Sequence, residues 1–142
     1  MKKILVPVDG SEPSNRACQV AKDLALKFDS DVFLVTVVLT YEYAANRACL
    51  NCDNTLLAHE IEGSEEMLLE IKESFFNDLG EKVKTKCLQG DIAGEILAFA
   101  KEEQADLIVM GSRGLGAFSK TLLGSVSNKV ANRGDISVLI VK

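Results

Sequence analysis

The sequence predicts an α/β fold, an open parallel sheet with helices on both faces. Short apolar runs alternate along the chain with segments in which apolar residues recur every three or four positions. Such alternation is typical of parallel strands joined by right-handed helical crossovers. A glycine-rich segment directly follows the fourth apolar run. Ligands of open α/β sheets bind beyond the carboxyl ends of the strands, so these glycines lie where a binding site is expected.

The first half of the chain predicts two strands joined by a helix. Residues 4–8 form the first apolar run, and Ser11 is a candidate N-cap with Pro13 in the first helical turn, where its missing N–H costs nothing. Residues 32–39 are β-branched and almost continuously apolar, which predicts a second strand covered on both faces. The helix between the strands has one apolar face, made of Ala17, Val20, Ala21, Leu24, Ala25 and Phe28.

A second helix is predicted over residues 56–79, with a kink at Gly63 left open and Gly80 as its end. Lysines alternate with less polar residues in the following strand, residues 82–87, which predicts a half-exposed edge strand. The buried stripe of the second helix is expected at Ile61, Leu68, Ile71, Phe75 and Leu79.

The last third predicts two further strands and two helices. Asp91 is the candidate N-cap of the third helix, and residues 107–110 form the fourth strand. Gly124 or Ser125 opens a short fourth helix, which ends at Gly134. The final strand is expected over residues 136–141.

Composition excludes several classes of protein. The 142 residues favour one domain, residues 1–142. A net charge of −5 argues against a nucleic-acid partner, since duplex affinity comes largely from lysine and arginine. No apolar run is long enough to cross a bilayer, and the first one stops at Asp9, which argues against a signal peptide. We therefore expect a cytoplasmic protein with no membrane partner.

The glycine-rich segment is the strongest candidate for a binding site. Gly111, Gly114 and the Gly124-Ser125 pair form a G-x2-G-x9-G-S pattern. Glycines let a backbone approach phosphate oxygens closely, and a helix that begins at Gly-Ser offers free N–H donors at its positive end. The pattern differs from the P-loop and from the dinucleotide-binding G-x-G-x-x-G. The alternative is a loop with ordinary turn glycines and Ser125 as an N-cap.

Further candidates follow from position. Asp9 comes directly after the first strand, and it would face the glycine crevice if strands one and four are neighbours. It could accept from a nucleotide's base or ribose, it could hold a divalent ion through water, or it could bond only to amides of its own turn. Arg113 could face a polyphosphate. Val37 could offer an apolar surface to a purine, or it could be plain core.

No catalytic residue is predicted. His59, the only histidine, lies in a charged helical segment, and the glutamates around it are typical of a solvated face. Cys49 and Cys52 form a C-x-x-C in residues 41–55, a long segment that is a candidate functional lid. A zinc or redox site there lacks a second C-x-x-C and a second histidine, so we assign no metal ligands.

These motifs together resemble the universal stress protein family, of the single-domain, ATP-binding kind. The resemblance covers essentially the whole chain. It rests on the opening KILVPVDGS at residues 3–11, the Gly90-Asp91 turn, ADLIVMGSRG at residues 105–114 and LGSVS at residues 123–127. The complete G-x2-G-x9-G-S spacing is the ATP signature of that family.

The resemblance implies a Rossmann-like sheet of strand order 3-2-1-4-5 and a homodimer that pairs its last strands, from Ile136 to Val141. It also implies ATP as ligand, with Mg2+ or Mn2+ beside the phosphates. The family's binding roles fall on Pro7, Val8, Asp9 and Val37 for adenine and ribose, on Met110, Gly111, Arg113 and Gly114 for ribose and phosphate, and on Gly124, Ser125, Val126 and Ser127 for the phosphates.

One departure concerns the approach to the last strand. The family usually has a His-x-x-Cys-Pro-like sequence there, whereas this chain has Asn132-Arg133-Gly134-Asp135-Ile136. The departure bears on the geometry before that strand and on the mode of dimerisation.

Three functions stay open from the sequence. The first is a regulatory module that binds ATP and signals through conformation or through an unknown protein partner. The second is a slow ATPase or a protein that phosphorylates itself, with Ser119, Ser125 or Ser127 as acceptor. The third is a dimeric interaction protein in which the glycines are structural.

Overall fold

The computed structural model describes residues 1–40, 55–114 and 123–142, and these contain five strands and four α-helices. A short 3-10 segment, Asn77–Lys82, connects the second helix to the third strand. The strands are β1 (Lys3–Pro7), β2 (Asp31–Leu39), β3 (Val83–Gly90), β4 (Leu107–Gly111) and β5 (Ser137–Val141). The helices are α1 (Glu12–Phe28), α2 (Thr55–Phe76), α3 (Ile92–Glu102) and α4 (Ser125–Arg133).

The strands form one parallel sheet in the order β3-β2-β1-β4-β5, which confirms the predicted architecture. β1 is central, and Leu5 lies in register with Phe33 of β2 and Ile108 of β4. The strand order reverses between β1 and β4. Their carboxyl ends therefore open onto the same crevice. Neighbouring first and fourth strands were the condition for Asp9 to face the glycines.

The side chains of the sheet alternate between two hydrophobic layers. Ile4 and Leu34 face α1 and α2, and Phe76 at the end of α2 is completely buried in this layer. Leu5 and Phe33 face the opposite layer, which α3 and α4 cover. Helices cover both faces of the sheet, which is why the central strands carry apolar side chains on both faces.

The predicted caps are confirmed at three helix starts. Ser11 Oγ accepts a hydrogen bond from the Ser14 N–H at 3.4 Å, and Asp91 Oδ2 accepts from the Gly94 N–H at 2.9 Å. Gly124 is the N-cap of α4. Each cap fixes the residue at which the chain enters a helix.

The structure corrects the prediction at two helix ends. Phe28 is 48% exposed, because α1 ends there and Asp29, in the left-handed conformation, turns the chain toward β2. α2 ends at Phe76, so Leu79 lies in the 3-10 segment rather than in the helix, although it is partly buried against the core as predicted. Gly80 also lies inside that segment, with φ +53°, rather than at the helix end.

Smaller differences concern other boundaries. α2 is continuous through Gly63, and β5 begins at Ser137 rather than at residue 136. Phe76, and not Phe75, is the fully buried aromatic residue of α2. The predicted C-x-x-C at Cys49 and Cys52 lies outside the described residues, as does most of the predicted lid, whose last residue, Thr55, begins α2.

Within the described ranges, none of the helices combines the length and the apolar character that crossing a membrane requires.

Candidate functional site

Asp9 and Gly114 meet across the crevice between β1 and β4. A Cβ added to Gly114 would lie 2.6 Å from Asp9 Oδ2, far closer than carbon and oxygen can approach without bonding. The other carboxylate oxygen, Oδ1, accepts a hydrogen bond from the Ser11 N–H at 3.0 Å. Asp9 is therefore held by its own turn through Oδ1, as the turn reading of this residue predicted, and the lack of a side chain at Gly114 leaves space beside Oδ2.

Ser112 connects the two ends of the glycine pattern. Its carbonyl accepts the Gly124 N–H at 2.7 Å and the Ser127 hydroxyl at 2.9 Å. A Cβ on Gly124 would lie 3.2 Å from the Arg113 Cα and 3.3 Å from the Ser112 carbonyl oxygen. A glycine at position 124 thus lets the start of α4 pack directly against the end of β4.

The N-terminus of α4 points its backbone donors toward this crevice. The Asn128 N–H makes the first intrahelical bond, to the Gly124 carbonyl at 2.9 Å. The N–H groups of the preceding turn, at Ser125, Val126 and Ser127, have no intrahelical acceptor by the geometry of a helix. Together with the helix dipole they favour an anion at this position.

Ser112 also carries an unusual side chain that sequence reasoning did not single out. Its Oγ is buried and has no hydrogen-bond partner among the described residues. A buried hydroxyl without a partner costs free energy, so the position marks a place where a ligand or water atom is expected. The sequence does contain a signal for this residue, because Ser112 follows a buried strand directly and lies between Gly111 and Arg113.

The β1–α1 turn forms the other wall of the crevice. Gly10 has a φ of +79°, a backbone conformation that favours glycine, and its Cα faces α2, where a Cβ would lie 3.2 Å from the Met67 sulfur. A Cβ on Gly111 would lie 2.8 Å from the carbonyl carbon of Pro13. Glycines at both positions therefore allow the turn, the end of β4 and α2 to pack closely.

The structure places the other predicted site residues in three environments. The Ser125 side chain is exposed, whereas Ser127 is buried and uses its hydroxyl on the backbone carbonyls of Ser112 and Gly124. Pro7, Val37 and Arg113 are half-buried. The side chains of Val8, Met110 and Val126 pack into the hydrophobic layers, so these residues would reach a ligand mainly through their backbones.

The single histidine, His59, and the cysteines Cys18 and Cys87 lie within the described ranges. The His59 side chain is 80% exposed beside Glu62, on a solvated helix face. No group of three metal-ligating side chains occurs among residues 1–40, 55–114 and 123–142. Burial raises the pKa of the Cys18 thiol to about 12, and burial with the nearby carboxylates of Glu65 and Glu60 raises that of Cys87, so neither thiol favours its reactive form.

A doubly wound parallel sheet with a glycine-lined crevice and a helix N-terminus at its switch point defines an α/β protein of the Rossmann-like class. The sequence model of the universal stress protein family matches residues 1–142. The chain belongs to the universal stress protein family.

Named relatives and solved structures agree with this assignment. The chain is 36% identical to universal stress protein MJ0531 of Methanocaldococcus jannaschii over 143 residues, which cover 99% of this chain and 82% of the relative. The solved structure of protein MJ0577, whose sequence comes from the same organism, superposes with a TM-score of 0.86 at 32% identity, covering 99% and 95% of the two chains.

More distant structures share the fold. A universal stress protein crystallised in complex with cAMP superposes with a TM-score of 0.68 at 23% identity, covering 99% of this chain and 96% of that one. A universal stress protein from Archaeoglobus fulgidus in complex with dAMP gives 0.67 at 20% identity, covering 100% and 98%.

Proposed function

We propose that this protein binds ATP at the crevice between β1 and β4 and acts as a nucleotide-dependent regulatory module of the stress response. The observation that carries the proposal is the contact of Gly114 with Asp9, where a Cβ would lie 2.6 Å from the carboxylate. This contact joins the glycine pattern to the carboxylate that follows β1 and supports a single site. A glycine is needed at position 114 because any side chain there would collide with the Asp9 carboxylate.

The residues fit a polyphosphate. The first-turn N–H groups of α4 supply donors at a positive helix end, and the exposed Ser125 hydroxyl adds a further donor. The Ser112 hydroxyl is a buried polar group without a partner in the described chain. An anion with several oxygens would satisfy these donors, for which the described part of the chain shows no acceptor.

The residues also fit a ribose and a base. Asp9 Oδ2 is free to accept from a sugar hydroxyl, because the Ser11 N–H binds the other oxygen. Pro7 and Val37, at the ends of neighbouring strands, supply half-buried apolar surface for a purine. The cAMP and dAMP complexes of the two distant fold relatives support an adenine nucleotide as the class of ligand.

A divalent ion would enter with the phosphates. Mg2+ is usually bound by one or two carboxylates together with substrate phosphates and water, and so does not need a cage of protein ligands. Asp9 is a carboxylate at the crevice that fits this role, directly or through water. The ion would neutralise phosphate charge beside a protein of net charge −5.

Thermal unfolding with and without Mg-ATP tests the proposal. ATP at a hundredfold its dissociation constant should stabilise the folded state by about 2.7 kcal/mol. For a domain of this size that raises the Tm by several degrees, at about 2–4 °C per kcal/mol. An unchanged Tm at millimolar Mg-ATP would contradict the proposal and favour the ligand-free interaction protein.

Binding without turnover is the form of this function that we propose. Ser127, one of the candidate phosphoryl acceptors, is buried with its hydroxyl bonded to backbone carbonyls, whereas Ser125 is exposed and Ser119 lies outside the described residues. Incubation with ATP labelled at the γ-phosphate separates the alternatives. Label retained as intact ATP supports a binding module, while released phosphate or labelled protein would establish the ATPase or the autophosphorylating protein.

We also propose a homodimer that pairs β5 of two copies. β5 is a terminal strand of the sheet, its residues Ser137–Val141 carry no charge, and Leu139 is 38% exposed. The opposite terminal strand, β3, carries lysines, which disfavour pairing with a like strand.

Light scattering of two variants tests this assembly. Leu139→Glu would place like charges together across the two-fold axis and should convert dimer to monomer. Leu69→Glu, at a leucine 55% exposed on α2, is the matched control and should leave the mass unchanged. A dimer that survives Leu139→Glu would require a different interface.

A further inference from the structure

The edge of the sheet opposite β5 has a distinct chemistry. β3 is a terminal strand of eight residues and is paired only with β2 along its whole length in the described chain. Because side chains alternate along a strand, Lys84, Lys86 and Leu88 lie on the face that α3 partly covers, and Leu88 packs into that layer. We call these three residues the lysine edge.

The charges of the lysine edge are not neutralised by the described protein. Lys82 pairs with Asp29, but neither Lys84 nor Lys86 forms an ion pair with a described carboxylate. The Lys84 ammonium instead lies 5.5 Å from the centre of the Phe33 ring, where the ring face attracts a cation. Two exposed lysines two positions apart on one strand face, with no ion pair to a described carboxylate, form a local positive site on an acidic protein.

The opposite face of β3 has no charged side chain of its own and lies near carboxylates of α2. Cys87 points to the α2 side, and the carboxylates of Glu60 and Glu65 lie near enough to raise the pKa of its thiol. A strand added to β3 would therefore meet positive charge on one face and negative charge on the other. Cross-strand pairs of opposite charge stabilise a sheet, and like charges destabilise it.

We propose that β3 accepts an extended acidic segment of a partner protein as a sixth strand of the sheet. Carboxylates at alternate positions of that segment pair with Lys84 and Lys86, and an apolar residue two positions further along lies over Leu88. The residues between them face α2 and are neutral or basic. The open edge provides the main-chain hydrogen bonds, and the lysine edge provides the selectivity.

The same charges explain why a second copy of the chain is not the occupant. Two β3 strands paired across a two-fold axis would bring lysines together, and the repulsion would destabilise the pair. Pairing of two β5 strands has no such repulsion, because β5 carries no charge. The lysines thus guard the edge against self-pairing and leave it open to a strand of complementary charge.

Backbone NMR with a synthetic peptide tests the proposal. The probe is a capped heptapeptide, Thr-Glu-Thr-Glu-Thr-Val-Thr, and the control peptide has lysine in place of both glutamates. We expect amide shift changes concentrated in residues 83–90 with the acidic peptide only. They should weaken as salt is raised, because exposed ion pairs are screened over about 8 Å at physiological ionic strength.

Charge-reversed variants give the second part of the test. The double variant Lys84→Glu/Lys86→Glu should bind the acidic peptide about tenfold more weakly, since it removes two ion pairs and adds repulsion. The control, Lys2→Glu/Lys129→Glu, reverses two exposed lysines elsewhere and should bind as the parent does. Equal binding by both variants, shifts confined to other strands, or no shifts at about 1 mM peptide would overturn the proposal.

Discussion

The carbonyl oxygen of Ser112 accepts the Gly124 N–H at 2.7 Å, so the end of β4 and the start of α4 are directly bonded. The Ser112 N–H in turn donates to the Val141 carbonyl at 2.8 Å, at the end of β5. One residue therefore connects the proposed phosphate site to the strand that we propose as the dimer interface. The two backbone bonds of Ser112 hold the end of β4, the start of α4 and the end of β5 together.

Replacing Gly114 tests the contact with Asp9. A methyl group 2.6 Å from Asp9 Oδ2 must displace the carboxylate or the backbone, so Gly114→Ala should lose most of the Tm increase that Mg-ATP produces. Thermal melts with and without Mg-ATP measure the loss. Gly63→Ala is the control, because its Cβ meets nothing within 4 Å in the interior of α2. That variant should gain about 0.5–1 kcal/mol and keep its full response to ATP. A full response in Gly114→Ala would refute the role of the contact.

Two serines of α4 should differ in what they contribute. Ser127→Ala removes a buried hydroxyl that bonds to the Ser112 carbonyl at 2.9 Å, and it should lower the free energy of unfolding by about 1 kcal/mol. Ser125→Ala changes an exposed side chain and should stay within about 0.5 kcal/mol of the parent. Urea midpoints of the two variants measure the difference. Under the proposed function Ser125→Ala should instead weaken ATP binding. Equal urea midpoints for the two variants would show that the Ser127 bond adds nothing.

The buried thiol of Cys18 predicts a loss of stability at alkaline pH. Burial raises its pKa to about 12 from the ordinary value of 9.0. Between those values the unfolded chain releases the proton while the folded chain keeps it, so the free energy of unfolding falls as pH rises, by up to about 1.4 kcal/mol per pH unit. Cys18→Ala should be about 1 kcal/mol less stable at neutral pH and should lose stability less steeply above pH 9. Parallel slopes for the two proteins in alkaline urea titrations would contradict this account.

Asp106 predicts an effect at the acid end. The N–H groups of Lys3 and Lys2 donate to its Oδ2 at 2.9 and 2.6 Å, and these bonds hold the pKa of its carboxyl below the ordinary 3.8. A depressed pKa contributes stability that is present above the unfolded value and is lost as pH falls through the folded value. Asp106→Asn should therefore be less stable than the parent at pH 7, by a small amount because the group is exposed, and the two should converge below pH 3.8. A gap that stays constant from pH 7 to pH 2 would show that the charge has no part in it.

Local sequence signals determined most of the elements. The apolar runs, the caps at Ser11 and Asp91, and the lysine alternation of β3 each depend on neighbours along the chain. Period and capping are local properties, so they can be read from the sequence. The prediction is wrong at two helix ends, because Phe28 at the end of α1 is 48% exposed, and because α2 ends at Phe76 and not at Gly80.

The sequence by itself determined the α/β alternation, the strand order through its family resemblance, and the glycine spacing that marks the site. Only the tertiary structure decided which atoms meet there. The approach of Gly114 to Asp9 and the bond from the Ser127 hydroxyl to the Ser112 carbonyl each join residues on different elements, and the burial of the Ser112 hydroxyl follows from the same packing. Such contacts arise from the packing of β1, β4 and α4 against one another, and no local pattern encodes the distance between two atoms on different elements.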